Sequence, residues 1–359
     1  MVITGLVLGA VLGFVLQRGR FCVTGAFRDV WLQRKTRWLT AFLIVIAVQS
    51  VGYFALLQFG IVKDTAKALP WAAVIIGSII FGVSIVLAGG CATGTYYRSG
   101  EGLVGSWIAL VGYAVGAAAM KYGALKSTNE GLRSITAPNL VSIQATLGIS
   151  PWILVALFVA GVGYASYRHL TARTKLPVAT LPARYTGLRH LLFEKTWHPF
   201  ATALVIGVIA IAAYPLSYAA GRQAGLGITT PSADLVAYAV TGDAKLINWG
   251  ALLVVGILIG SFIAAKGSGE FRIRIPDTQQ TLRSVVGGLG MGIGASWAGG
   301  CTIGNSMVYT AQFTYQGWAA LLSTLLGVGL GVRLFITNHR RAGAVTPAAA
   351  APSPVLVNA

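Results

Sequence analysis

Nine long apolar runs divide this 359-residue chain, at about 2–17, 38–60, 71–89, 103–121, 151–169, 198–215, 249–265, 284–299 and 317–336. Each must be kept from water, and nine of them exceed what the interior of one soluble domain can hold. Only 10% of the residues are charged, against about a quarter in an ordinary soluble domain. Lipid is therefore the expected solvent for most of the surface. Several runs fall short of the roughly 20 residues a helix needs to cross the hydrocarbon. These short runs are bordered by glycine, which suggests broken or half-length helices. The expected fold is an all-α polytopic membrane protein of about nine transmembrane segments. The first run, Met1 to Leu16, lacks a basic leading region and a small-residue cleavage pattern, so it reads as a retained helix.

The net charge of +18 would suit a nucleic-acid surface in a soluble protein. In a membrane protein it reads instead as lysine and arginine gathered in cytoplasmic loops, and nucleic acid is not an expected partner. With the N-terminus outside, 19 of the 27 basic residues fall on the inner side. The expected topology is thus N-terminus out and C-terminus cytoplasmic, with Trp38, Trp71, Trp152, Trp197 and Trp249 as interface anchors. Residues 1–170 are expected to form a first transmembrane repeat plus a linking helix, and 171–197 a basic cytoplasmic connector. Residues 198–338 would form the second repeat and 339–359 a disordered Ala/Pro-rich tail.

The repeat is visible in a motif. Ala88-Gly89-Gly90-Cys91-Ala92-Thr93-Gly94 and Ala298-Gly299-Gly300-Cys301-Thr302-Ile303-Gly304 agree at five of seven positions, each at the end of an apolar run. Arg20-Phe21-Cys22-Val23-Thr24-Gly25 and Leu226-Gly227-Ile228-Thr229-Thr230-Pro231 form a weaker pair after the first and sixth runs. Five crossings before the second half place the copies in opposite orientations, an inverted repeat with broken helices meeting near the midplane.

Non-helical backbone at membrane depth is tolerated only where protein buries it or a polar cavity borders it. The glycines allow sharp turns, and a helix restarting after such a turn aims its free N–H groups at an anion. Gly90, Gly94, Gly300 and Gly304 supply this backbone, and Thr24, Thr93, Thr302 and Asn305 supply neutral donors. The only three cysteines, Cys22, Cys91 and Cys301, all fall in these loops. Their soft sulfurs could hold a sulfur-bearing anion through weak contacts that exchange easily. The plain alternative is that each is a small buried hydrophobe, the common fate of cysteine in membranes. Arg20 and Arg98 are candidates for attracting an anion, and Arg98 could instead pair with Glu101. The nine acids lie outside the centres of the apolar runs, which argues against a carboxylate relay. The sequence offers neither a metal constellation nor a nucleotide-binding fingerprint, and no cofactor is expected.

These three cysteine motifs, in this order and spacing from about residue 3 to about 336, resemble the YeeE/YedE sulfur-transport family. The resemblance implies a bacterial inner-membrane protein that takes up thiosulfate and is not an enzyme. It also implies that Cys22, Cys91 and Cys301 relay the ion through a constricted centre formed by inward-dipping loops. A small cytoplasmic TusA-like sulfur carrier is an implied partner. Three other readings stay open: a membrane sulfurtransferase forming a cysteine persulfide, a transporter of another sulfur or selenium anion, and a non-selective anion channel.

Overall fold

The structure is a computed structural model that describes residues 2–172 and 186–337. Residues 173–185 of the expected connector and the tail from 339 lie outside the described residues. The described chain is helical, with β-structure limited to isolated bridges such as Leu103 with Arg274. The first half runs α1 (Ile3–Gly19), α2 (Val23–Gln33), α3 (Arg37–Gln58), α4 (Trp71–Leu87), α5 (Ala92–Gly100) and α6 (Val104–Lys121). The short α7 (Lys126–Arg133) and α8 (Ile143–Leu147) lead to the peripheral α9 (Pro151–Thr171). After the turn α10 (Gly187–Arg189) come α11 (Pro199–Ala219), α12 (Thr229–Thr241), α13 (Trp249–Gly267), α14 (Thr278–Ala298), a π-helix (Thr302–Tyr309) and α15 (Tyr315–Val332).

Among the described residues, eight helices are long and apolar enough to cross a membrane, two of these spans including α2 and α5. The ninth expected segment falls in α14, which has the length at 21 residues but not the hydropathy. Its buried positions are Ser284, Gly287, Gly288, Met291, Gly292, Gly294, Ala295 and Ala298. It packs closely between α4 and α6, so small residues replace aliphatic ones there.

Glycine sets how the helices meet. A Cβ at Gly5, Gly9 or Gly13 of α1 would lie 2.1–2.3 Å from the carbonyl oxygen of Trp249, Leu253 or Ile257 on α13, so the two backbones touch. The partners rise together, so α1 and α13 run parallel. Gly207 against Val48, with Gly52 against Ile211, makes the same parallel pair of α11 and α3. Likewise α4 with α15 (Gly82 on Gly327) matches α14 with α6 (Gly292 on Tyr113). Between α4 and α14 the register falls, Gly77 meeting Ala298 and Gly287 meeting Ala88, so these two are antiparallel. This set of pairings is what a two-fold axis between α4 and α14, lying in the membrane plane, generates. Each half therefore packs mainly on the other, and α9 has no counterpart among the described residues.

Two faces follow. The Cys22 face holds the end of α1 and the starts of α3 and α11, joined by Arg37 to His198 at 3.0 Å and Thr36 to His169 at 3.2 Å. Phe193 and Trp197, from the described part of the connector, pack on Phe14 there. The opposite, Arg222 face holds α7, α8 and the loop before α12. One expected anchor is corrected: Trp249 is buried and donates to Thr4 Oγ1 at 3.0 Å, because the close α1/α13 contact encloses it.

Candidate functional site

All three cysteines stand immediately before a helix start, with extended backbone: Cys22 before α2, Cys91 before α5 and Cys301 before the π-helix. The repeated motif produces this locally. Its first glycine ends the preceding helix in the left-handed region, with φ 73° at Gly89 and 86° at Gly299, where a side chain would be strained. Ile228 holds the corresponding place before α12.

The thiols form a series. A Cβ at Gly94 would lie 3.6 Å from Cys22 Sγ and 3.8 Å from Cys91 Sγ, so both sulfurs face this glycine. The Cys91 thiol also faces the Thr302 hydroxyl, beside Cys301. Cys301 in turn lies against the Tyr113 hydroxyl. Cys91 and Cys301 are 0% and 1% exposed, whereas Cys22 is partly open. The hydroxyls of Thr24, Thr93 and Thr302 are buried at 3%, 2% and 0% exposure, with no hydrogen-bond partner among the described residues. Unpaired buried hydroxyls are costly, and their alignment with three helix starts makes a chain of free donors.

A cavity opens at each end of the series. On the Cys22 face it measures about 460 Å³ and is lined by Arg20, Cys22, Arg98, Glu101, Glu270 and Arg274, among others. On the Arg222 face it measures about 430 Å³, reaches Gly300 and Gly304, and carries Lys121, Arg133 and Arg222. Among the described residues, no carboxylate lines this second cavity.

The expected residues do not all play the expected parts. Arg98 does not pair with Glu101: it donates to the Gly89 carbonyl, and its Nη2 lies 3.7 Å from Cys22 Sγ. Arg20 pairs with Glu270 at 3.1 Å. Gln17 Nε2 donates to Glu270 at 2.7 Å and to Glu101 at 3.4 Å. Burial pushes the Glu101 carboxyl above its usual range, with Arg98 opposing. Burial acts the same way on Glu270, but hydrogen bonds from Arg20 and Gln17 outweigh it and hold that carboxyl low. Asn305 is not a free donor: it donates to the Ala298 carbonyl at 2.6 Å and accepts from Gln316 at 3.2 Å, bracing the loop.

Sequence reasoning missed Arg222, Arg133 and Tyr113. The Arg222 guanidinium lies 5.8 Å over the Trp249 ring, and its Nη1 has no hydrogen-bond partner among the described residues. Arg133 Nη1 donates to the Trp297 carbonyl at 2.7 Å. Counted only as loop charges, neither arginine announced its place at a cavity wall. Asp234, buried on α12, is fully engaged by Lys121 at 2.7 Å, Tyr122 at 2.6 Å and Asn248 at 2.8 Å.

A thiosulfate transporter TsuA of Escherichia coli is 52% identical over 350 residues, covering 98% of this chain and 99% of the relative. A TsuA of Spirochaeta thermophila is 33% identical over 344 residues, covering 91% and 97%. A probable transporter, YedE of Escherichia coli, is 39% identical over 114 residues, covering 32% and 28%. The family described as sulphur transport matches residues 18–330, so this multi-pass membrane protein belongs to the sulphur-transport family.

Proposed function

We propose that this protein carries thiosulfate across the bacterial inner membrane, from the Arg222 face to the Cys22 face, along Cys301, Cys91 and Cys22. The observation that carries this reading is the series of three thiols at three helix starts, flanked by unpaired buried hydroxyls and two basic cavities. Two relatives spanning nearly the whole chain bear the name thiosulfate transporter. A thiol is a soft partner for the terminal sulfur, and hydroxyls and helix-start N–H groups suit the sulfonate oxygens. None of these contacts is a strong ion pair within the series, so the ion can bind and leave each position.

The Arg222 face is assigned to the outside and the Cys22 face to the cytoplasm, with the N-terminus out and the C-terminus in. The halves 1–170 and 198–338 are inverted repeats joined by the connector. The cytoplasmic mouth is where a TusA-like sulfur carrier would collect the ion. Growth on thiosulfate, in cells without other thiosulfate uptake, tests the reading. Cys91→Ala and Cys301→Ala should each abolish growth while the protein stays in the membrane, and full growth of both would refute the thiol path. Sulfate lacks the terminal sulfur, so liposomes should admit it far more slowly than thiosulfate.

One observation favours a second reading at Cys22 alone. Arg98 Nη2 lies 3.7 Å from the Cys22 sulfur at the start of α2, where on this reading the sulfur would take the sulfane sulfur of thiosulfate as a persulfide and release sulfite. A stable mass increase of one sulfur at Cys22 after incubation with thiosulfate would support that enzyme reading, and an unmodified thiol supports passage.

A further inference from the structure

The cavity on the Arg222 face stops short of Cys301. Gly300, Gly304 and Thr229 are among the residues that line it, whereas Cys301 is not and is 1% exposed. Between Thr229 and Cys301 stands Tyr113 of α6, itself fully buried. Its hydroxyl donates to Thr229 Oγ1 at 2.8 Å and lies within reach of the Cys301 thiol. Through Tyr113, a residue of the cavity wall is thus joined to the first thiol of the series.

This is also where the repeat lacks its fourth cysteine. Ile228 occupies that place, and Thr229 is the first residue of α12, so its hydroxyl stands beside the free N–H groups of a 13-residue helix. Oxygen donors thus replace sulfur on this side of Cys301. A hydroxyl favours an oxygen acceptor, whereas a thiol donates weakly and is polarizable.

We propose that Tyr113 and Thr229 form a fourth, hydroxyl station: a pair that closes the Arg222-face cavity and opens to hold the sulfonate oxygens as the ion reaches Cys301. The proposal rests on the thiol path. The Tyr113–Thr229 hydrogen bond is exchanged for two bonds to the ion, so opening leaves no buried hydroxyl unpaired. The pair both keeps the path shut to ions that offer no oxygen acceptor and orients thiosulfate with its terminal sulfur forward.

The test separates closure from transport. In detergent-solubilised protein retaining Cys301 as its one cysteine (C22S with C91S), modification by an anionic methanethiosulfonate reagent reports access to Cys301. Tyr113→Phe keeps the ring and removes the bond, and Thr229→Ala removes it from the other side. Each should speed modification about five- to tenfold, the scale of one neutral hydrogen bond. With all three cysteines present, each should also raise the KM for thiosulfate uptake. Tyr96→Phe removes a similar bond to Ser232, one turn further along α12, and should leave both readouts near the parent values. Unchanged modification rate and KM in both Tyr113→Phe and Thr229→Ala would overturn the proposal, as would an equal response in Tyr96→Phe. Modification does not depend on transport, so failure of the thiol path would appear separately, as full uptake by Cys301→Ala.

Discussion

Replacing Gly94 with alanine should leave the fold intact and slow transport. Gly94 is the third residue of α5, where alanine is a better helix former by about 0.5–1 kcal/mol. The added Cβ meets only Cys22 Sγ at 3.6 Å and Cys91 Sγ at 3.8 Å, ordinary van der Waals distances, so nothing must shift in the resting protein. On the proposed path, the ion passes between those two sulfurs. A methyl group in contact with both leaves no room for a sulfur or oxygen atom of the ion. Forcing extra volume into a packed site typically costs about 1–3 kcal/mol. Added to the passage barrier, that slows transport by roughly 5- to 150-fold. The assay is initial uptake of radiolabelled thiosulfate into liposomes, paired with thermal unfolding in detergent. Gly163→Ala on α9, where nothing lies within 4 Å of the new Cβ, is the control for the helix gain and should transport normally. Wild-type uptake by a folded Gly94→Ala protein would refute the placement of the path between Cys22 and Cys91.

Four further outcomes follow from the same structure. Gly9→Leu places its Cβ 2.1 Å from the Leu253 carbonyl oxygen, so α1 and α13 must separate, and yield and thermal stability should fall sharply by size-exclusion and melting assays. Glu270 is held low, so its stabilising contribution is complete above its unfolded carboxylate range and lost as pH falls through its folded value. The Tm deficit of Glu270→Gln should therefore be largest near neutrality and shrink in acid. Glu101 is raised, so its contribution is present at low pH and lost as pH climbs through the folded value. Glu101→Gln should melt higher than the parent at neutral pH and converge with it in acid. Gly304→Ala brings its Cβ no nearer than 4.0 Å to Gly227 and Leu226 at a wider part of the route, so uptake should fall less than in Gly94→Ala.

The sequence announced the parts of the site that depend on backbone. Glycine before cysteine marks a helix end in the left-handed region, and Gly89 and Gly299 adopt it. The repeated motif likewise pointed to two opposed copies, and the antiparallel meeting of α4 and α14 agrees. What stayed hidden depends on side chains arriving from elsewhere in the chain. Tyr113 lies in an apolar run 188 positions from Cys301, and only the packing of α6 on α12 and α14 brings it there. Arg98 and Glu101 looked like a natural pair by proximity, but the end of α5 sends the arginine back to Gly89 and Cys22 and leaves the glutamate to Gln17. Asn305 looked like a donor in the path, yet its amide is consumed by Ala298 and Gln316.

The scaffold is close to symmetric, but the chemistry placed on it is not, and the differences fall where direction would be decided. Cys22 and Ile228 occupy equivalent places, so one end of the series finishes in a thiol and the other in the Tyr113–Thr229 hydroxyls. The cavity beside the hydroxyls carries Lys121, Arg133 and Arg222, and no carboxylate lines it among the described residues. At the other mouth Arg20 is already paired with Glu270, and Glu101 stands near Arg98. Lys121 is paired with Asp234, so Arg133 and Arg222 carry the positive charge of the first mouth with no carboxylate among the described residues of its wall, whereas two glutamates stand in the wall of the second, a difference that favours capture at one and release at the other. A symmetric relay of four thiols between equal mouths would bind as well from either end. The missing fourth cysteine and the two glutamates break that equivalence in the same direction.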